Sequence, residues 1–135
     1  TNQLAREARR LFINFEENRP IFLQIAEMLE DSILSGAYAE ESQIPSITDF
    51  AVACKINPAT ALKGVNLLVE DGLLYKKRGL GMFVSAGARQ KIIKRRMDDF
   101  YLSYIMPLLA EAERLGVERG QIQEMIERGY ADHGN

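Results

Sequence analysis

The sequence predicts a mostly α-helical chain with a small β-hairpin, arranged as a winged helix-turn-helix followed by a C-terminal helical dimerisation region. Apolar residues recur at steps of three and four along most of the 135 residues, which is the periodicity of amphipathic helices. Two of these helices are separated by a very short turn, and a basic, glycine-containing turn then separates two short apolar runs. We expect a lead-in at residues 1–18, the winged helix-turn-helix at 19–85 and the helical region at 86–135.

The composition excludes several classes of protein. Apolar residues make up 47% of the chain and charged residues 27%, as in ordinary globular proteins. One cysteine, Cys54, and one histidine, His133, cannot supply an intramolecular disulfide, a CxxC metal site or a histidine-based catalytic site. We therefore expect no metal, no cofactor and no enzymatic activity. The chain shows no membrane-spanning run and opens on charged residues where a secretory signal is apolar, so we expect a cytoplasmic protein.

The first two elements are predicted by apolar spacing. Within the lead-in, one helical stripe is formed by Leu4, Ala8, Leu11 and Phe12. A clearer helix covers residues 21–35, where the stripe consists of Phe22, Ile25, Leu29 and Ile33. Gly36 follows at the position where a left-handed C-terminal cap is expected.

Two capping signals predict the helix-turn-helix. Ser46 followed by Asp49 fits a capping box and starts a short helix at Ile47, with an apolar face that ends at Cys54. Asn57-Pro58 starts the next helix, because asparagine caps free amides and proline at the first helical position gives up a donor that has no partner. This helix is expected to stop near Gly72.

A hairpin and two further helices complete the prediction. Residues 73–75 and 82–84 are expected to pair as strands across a basic turn at 76–81, with Lys76, Lys77 and Arg78 at its tip. One long helix is expected over residues 86–115, kinked near 103–104 because Pro107 removes an amide donor. A final short helix presents an apolar face formed by Ile122, Met125 and Ile126.

The distribution of charge indicates a polyanion-binding surface. The chain carries a net charge of −2, yet residues 55–96 hold ten basic residues against two acidic ones, between acidic flanks. A polyanion responds to the local field and not to the net charge. The basic segment is therefore a candidate nucleic-acid surface, although a merely solvated helix face is the alternative. In a helix-turn-helix the second helix enters the major groove, and cations of the wing contact phosphate or a minor groove.

Four landmarks in register carry a family resemblance: RPIFLQIAEMLEDSILSG, IPS, INPATALKGVNLLVEDGLL and KRGLGMFV. Residues 20–85, about half of the chain, resemble the winged helix-turn-helix domain of GntR-type bacterial transcription regulators. The region after the wing is short and is similar to the YtrA-like branch of the family, in which two helices mediate dimerisation. The resemblance implies a dimeric, non-catalytic transcription regulator, expected to be a repressor, that binds a double-stranded DNA operator.

The resemblance also implies which residues contact DNA. Ser46 and Thr60 match positions where the family touches DNA, and Arg78 with Gly79 matches the contacting tip of the wing. The full set of expected DNA contacts comprises Ser46, Thr48, Lys55, Asn57, Ala59, Thr60, Lys63, Lys76, Lys77, Arg78 and Gly79. The sequence also departs from the family pattern, because Thr48 stands where an arginine is usual and Glu41 replaces a usual loop glycine. Charged or polar recognition-helix residues are replaced by Pro58, Ala59 and Leu62, so base readout should be weaker or altered.

Several residues have plainer interpretations. Ser46 and Asn57 could be helix caps alone, Lys63 a solvated residue, and the cations of the hairpin a solubility device. Five further basic residues are more simply a solvated or acid-paired face of the long helix: Arg89, Lys91, Lys94, Arg95 and Arg96. Cys54 is expected to be a core thiol.

An apolar and aromatic stripe on the long helix predicts a homodimer seam. It comprises Met97, Phe100, Tyr101, Tyr104 and Leu108, and one short helix cannot cover it. A twofold dimer would present two recognition helices to half-sites one helical turn apart. Intramolecular core and a pocket for an unidentified small-molecule effector are the alternatives for this stripe. A protein–protein adaptor built on a winged-helix scaffold is the alternative to DNA binding.

Overall fold

The computed structural model describes residues 18–134, which form two compact units that meet in sequence between Lys94 and Arg95. The predicted lead-in stripe from Leu4 to Phe12 lies outside the described residues. The first unit contains α1 (Ile21–Ser35), α2 (Ile47–Cys54), α3 (Pro58–Glu70), β1 (Leu74–Lys77) and β2 (Gly81–Val84). The next helix, α4 (Ala88–Phe100), begins in this unit and ends in the second. This architecture confirms the predicted mostly helical fold with a small hairpin.

The core of the first unit draws at least one side chain from each of its elements. Fully or almost fully buried side chains include Ile25, Leu29 and Ile33 of α1, Phe50 of α2, Val65 and Leu68 of α3, Leu74, Val84, and Ile92 of α4. Removal of these apolar surfaces from water is the main force that holds the three helices and the hairpin together. Gly36 ends α1 with a φ of 88°, the left-handed cap that the sequence predicts.

Helices α1 and α3 approach each other closely at Gly64. A Cβ atom at this position would lie 2.9 Å from the carbonyl oxygen of Phe22 and 2.9 Å from Cγ2 of Ile25. Only glycine fits this contact without a shift of the backbone. The small side chains of Ala51 in α2 and Ala61 in α3 are buried as well.

The hairpin is longer on its first strand than the sequence predicts. Its two strands pair antiparallel from Leu74↔Val84 to Lys77↔Gly81, so the prediction of a strand at 73–75 is wrong by two residues at its end. The reason is that the ladder continues through both lysines before the chain turns. Gln43 adds an isolated antiparallel bridge to Phe83, which ties the segment before α2 to β2 on the side away from β1.

The second unit contains the end of α4, a π-helical turn (Tyr101–Ile105), α5 (Met106–Leu115) and α6 (Arg119–His133). The helix predicted over 86–115 is observed from Ala88 to Leu115, and the irregularity expected near 103–104 takes the form of the π-helical turn at Tyr101–Ile105. Pro107 cannot donate to the turn before it, and the N–H of Met106 donates to the carbonyl oxygen of Tyr101, five residues earlier. The final helix is confirmed, although Met125 and Ile126 stay about half exposed. Across residues 18–134, no helix has the length and apolar character needed to cross a membrane.

Candidate nucleic-acid interface

Two side-chain caps start the helices of the helix-turn-helix. The hydroxyl oxygen of Ser46 accepts a 3.0 Å hydrogen bond from the backbone N–H of Asp49. The side-chain oxygen of Asn57 accepts a 2.8 Å hydrogen bond from the backbone N–H of Ala59, with Pro58 at the first turn of α3. Both predicted helix starts are confirmed. Ser46 and Asn57 are also exposed, so their capping role leaves them accessible to a ligand.

The turn between α2 and α3 depends on a left-handed residue. Lys55 adopts a φ of 57°, and its backbone N–H donates to the carbonyl oxygens of Ala51 and Val52. The N–H of Ile56 donates to the carbonyl oxygen of Ala51 at 3.0 Å, and the Ile56 side chain packs against the core. The reversal places the Lys55 side chain on the surface.

Helix α3 has one buried and one exposed face. Its buried face packs on the core through Ala61, Gly64, Val65 and Leu68. The opposite face is exposed at Ala59, Leu62, Lys63 and Asn66, while Thr60 is partly buried at the boundary between the faces. The leading end of α3 is therefore open for contact, as a recognition helix requires.

Lys63 makes a contact within the protein. Its ammonium nitrogen lies 4.1 Å from the centroid of the Phe22 ring, a cation–π geometry. This directs the ammonium group toward α1. The side chain is still exposed overall, so its predicted contact with DNA remains a prediction.

The three cations of the hairpin do not share its tip, which corrects the prediction. Lys76 and Lys77 belong to β1, and of the three cations only Arg78 lies in the turn, which covers residues 78–80. Successive residues of a strand point to opposite faces, so Lys76 and Lys77 cannot face the same way. Lys76 lines a cavity beside α3, whereas the Lys77 ammonium lies 4.5 Å from the centroid of the Phe83 ring on the other face.

The face of the hairpin that carries Lys77 is aromatic. The rings of Tyr75 and Phe83 stack with centroids 5.9 Å apart, and the Tyr75 hydroxyl donates a 3.0 Å hydrogen bond to Glu41. Desolvation, and then this hydrogen bond, raise the pKa of Tyr75 above its ordinary value. Glu41 has a φ of 68°, which explains why a glycine is usual at this position.

Gln43 anchors the wing, a role that the sequence analysis missed. Its side-chain amide donates a 2.5 Å hydrogen bond to the carbonyl oxygen of Leu80, in the hairpin turn. Gly81 has a φ of 125°, and a Cβ atom there would lie 2.6 Å from the Gln43 amide nitrogen. The amide nitrogen of Gln43 therefore occupies the space that a side chain at residue 81 would need. The glycine of the wing was a visible signal, but nothing local to Gln43 indicates a contact so distant in sequence.

A largely apolar cavity of about 380 Å³ separates α3 from the wing. Its walls come from the start of α2, one side of α3 and the inner face of the hairpin, and include Ile47, Leu62, Val69, Leu80 and Met82. Polar groups at this site are supplied by Gln43, Ser46, Asn66 and Lys76. Four predicted or newly identified interface elements thus converge here: the cap of α2, the exposed side of α3, the first wing lysine and the wing anchor.

The junction between the wing and α4 is held by Glu40. Its carboxylate accepts hydrogen bonds from the backbone N–H groups of Gly87, at 2.8 Å, and Arg89, at 3.1 Å. These two bonds hold the pKa of Glu40 below its ordinary value of 4.5. The Arg89 side chain donates a 2.8 Å hydrogen bond to the carbonyl oxygen of Leu34 and is thus engaged within the protein.

The residues predicted to form a dimer seam lie mostly on the surface of the second unit. Tyr101 is 56% exposed, Tyr104 66% and Leu108 41%, and the Phe100 and Tyr104 rings lie 5.4 Å apart. Within this unit, among its described residues, only Ala112 is a buried hydrophobic side chain. The alternative of an intramolecular core is therefore wrong for most of this stripe.

The described part of the chain offers no cluster of side chains for a metal ion. Among residues 18–134, no group of three or more histidine, cysteine or acidic side chains could hold a metal ion. Cys54 is buried, as predicted for a core thiol.

Comparisons with known proteins agree with this geometry. Residues 22–84 match the family model of bacterial regulatory proteins of the gntR family. The chain is 26% identical over 120 residues to the HTH-type transcriptional repressor YtrA of Bacillus subtilis, covering 89% of this chain and 92% of that protein. It is 32% identical to a GntR-family transcriptional regulator from Bacteroides thetaiotaomicron, with a TM-score of 0.69 and coverage of 85% of this chain and 99% of that chain.

A second similar structure contains DNA. It is BusR of S. agalactiae in complex with its busAB-promotor DNA, 26% identical to this chain with a TM-score of 0.51. The match covers 83% of this chain and 53% of that one. The predicted resemblance is confirmed, including its extension to YtrA, and the chain belongs to the GntR family of bacterial regulatory proteins.

Proposed function

We propose that this chain is a DNA-binding transcriptional repressor that acts as a homodimer in the cytoplasm, with α3 in the major groove and the wing on the adjacent backbone. The observation that carries this proposal is the exposed side of the leading end of α3, formed by Asn57, Pro58, Ala59 and Leu62, beside a cavity that Lys76 also lines. The family assignment supports regulation of transcription rather than catalysis. The names of YtrA, a repressor, and of the BusR complex with promoter DNA support repression and DNA binding.

The proposed contacts divide into those that position the protein on the DNA backbone and those that recognise the base sequence. Lys55, Lys76 and Arg78 are cations that neutralise phosphates, while Ser46 and Thr48 at the start of α2 reach the backbone with hydroxyl groups. Ala59 and Thr60 lie at the first turn of α3, where a recognition helix meets base edges. Gly79 allows the wing backbone to approach DNA without a side chain in the way. Lys77 faces the aromatic side of the hairpin, so its contribution is electrostatic and at longer range.

The homodimer is supported by the apolar surface of the second unit. Its exposed large apolar side chains include Met97, Phe100, Tyr101, Tyr104 and Leu108. Exposed apolar patches of this kind mark interaction surfaces in soluble proteins. A second copy of the chain covers them and supplies the second recognition helix for a twofold operator.

The test is duplex selection by the purified full chain, followed by affinity measurements on the selected duplex as the salt concentration rises. We expect selective binding whose logarithm falls linearly with the logarithm of salt concentration, because phosphate contacts release counterions. Affinity that is flat between low and moderate salt would contradict the proposal. Binding to an acidic protein with no preference for duplex DNA would instead support a protein–protein adaptor. Light scattering of the free chain tests the dimer, and Tyr104→Glu should convert it to a monomer.

A further inference from the structure

We infer that α3 reads A·T base pairs, with Leu62 contacting the C5-methyl group of thymine and Asn66 hydrogen-bonding adenine. This inference rests on the proposed function, since it requires α3 to enter the major groove. It goes further because it assigns the base chemistry and two residues that the sequence analysis did not place among the DNA contacts.

The side chains of α3 determine which base contacts the helix is able to make. Guanine is read chiefly by arginine or lysine, which donate two hydrogen bonds to its O6 and N7 atoms. Residues 58–70 contain no arginine, and their single lysine, Lys63, directs its ammonium group to the Phe22 ring 4.1 Å away. Helix α3 is therefore poorly equipped for guanine.

Leu62 lies on the exposed face of α3. It follows Ala59 by one helical turn on the exposed face, and 45% of its surface is exposed although it is a large apolar residue. The core does not require it, because α3 packs inward through Ala61, Val65 and Leu68. An apolar side chain on a DNA-facing surface has one direct partner in the major groove, the methyl group of thymine.

The side chain that follows Leu62 on the same face of α3 is that of Asn66. Asn66 lies four residues after Leu62, and both side chains line the cavity between α3 and the wing. Asn66 is exposed, and its amide has no hydrogen bond to any residue within 18–134. An amide offers the donor and acceptor pair that matches N7 and the N6 amino group of adenine. Leu62 and Asn66 together match the two partners of A·T pairs.

Uracil substitution tests the thymine contact directly. A duplex selected from a random pool is synthesised again with dU in place of dT at one position at a time, which removes the methyl group and leaves base pairing intact. We expect affinity to fall about fourfold at each thymine that Leu62 contacts, the equivalent of burying one methyl group, and to stay unchanged elsewhere. Equal affinities for the dT and dU duplexes at every position would overturn the inference.

Variants assign the effect to particular residues. Leu62→Ala should bring the ratio of dT to dU affinities close to one at those positions, whereas Leu115→Ala, which removes the same atoms from an exposed residue at the end of α5, should leave the ratio unchanged. Asn66→Ala should reduce the preference for A·T at a neighbouring pair about tenfold. A dT to dU ratio that persists in Leu62→Ala would overturn the assignment of Leu62. Circular dichroism checks that each variant is folded.

Different outcomes reject A·T readout and the DNA-binding function. Selective, salt-dependent binding with no effect of uracil would leave the DNA-binding proposal intact and reject A·T readout. If no duplex is selected at all, the proposed function itself is rejected, and A·T readout with it.

Discussion

The side-chain amide of Gln43 donates a 2.5 Å hydrogen bond to the carbonyl oxygen of Leu80, 37 residues later in the chain. This bond joins the segment before α2 to the turn of the wing. Because Gly81 has no side chain, the amide can lie directly against the hairpin. The helix-turn-helix and the wing are thus connected on the side that faces the proposed DNA.

Gln43→Ala should weaken DNA binding more than it weakens the fold. Loss of one hydrogen bond that orders the wing should reduce affinity about threefold to tenfold, while the melting temperature changes little because the bond is exposed. Fluorescence anisotropy on a selected duplex measures the effect, with Gln123→Ala on α6 as the control. Identical affinities for wild type and Gln43→Ala would show that the anchor is dispensable.

Gly64→Ala should destabilise the first unit by about 1–3 kcal/mol. The new Cβ would meet the backbone oxygen of Phe22 at 2.9 Å, and a backbone atom cannot move aside cheaply. Gly129→Ala is the matched control, because a Cβ there meets nothing within 4 Å and should stabilise α6 by about 0.5–1 kcal/mol. Thermal unfolding followed by circular dichroism distinguishes them. Similar shifts in both variants would show that the α1–α3 approach is not tight.

Glu40→Gln should destabilise the protein at neutral pH, and the difference from wild type should vanish in acid. The hydrogen bonds from Gly87 and Arg89 favour the charged carboxylate and lower its pKa in the folded state. A depressed pKa contributes stability above the unfolded value, near 4.5, which is lost as the pH falls through the folded value. Melting temperatures across the acid range test this, with Glu124→Gln as the control. A difference that is constant with pH would contradict the role of the charge.

Arg78→Ala and Thr60→Ala should affect DNA binding in different ways. Arg78 lies in the wing turn and contacts phosphate under the proposal, so its loss should weaken all duplexes alike and lower the salt slope by about one. Thr60 lies on the first turn of α3, so its loss should change the ranking of duplex sequences. Binding of a small panel of duplexes at several salt concentrations measures both. An equal loss of affinity for every duplex in Thr60→Ala would show that Thr60 does not recognise bases.

The sequence predicts the helix starts well because their causes are local. Ser46 and Asn57 cap the helices that immediately follow them, and Pro58 fits only the first turn of a helix. The glycines at the end of α1 and in the wing are equally direct signals. These features, with the spacing of apolar residues, are sufficient for the helix-turn-helix and for the existence of the hairpin.

The features that the sequence could not predict depend on longer-range pairing. The alternation of residues in β1 does not determine how far the ladder of backbone hydrogen bonds extends. The sequence alone therefore predicts Lys76 and Lys77 in the turn, whereas both belong to the ladder. Pro107 signals a missing donor but not how the backbone compensates, which here is the π-helical turn at Tyr101–Ile105. The contact of Lys63 with Phe22 and the anchor at Gln43 arise only when α1 and the wing are packed.

The most direct test of the central claim is a nuclear magnetic resonance titration of the isotope-labelled full chain with a selected duplex. The account predicts that backbone amide signals at residues 46–48, 57–63 and 78–80 shift strongly, since these segments form the proposed DNA surface. Amides in residues 106–134 should shift little. Strong shifts confined to the second unit, with the start of α3 and the wing turn unaffected, would contradict the account.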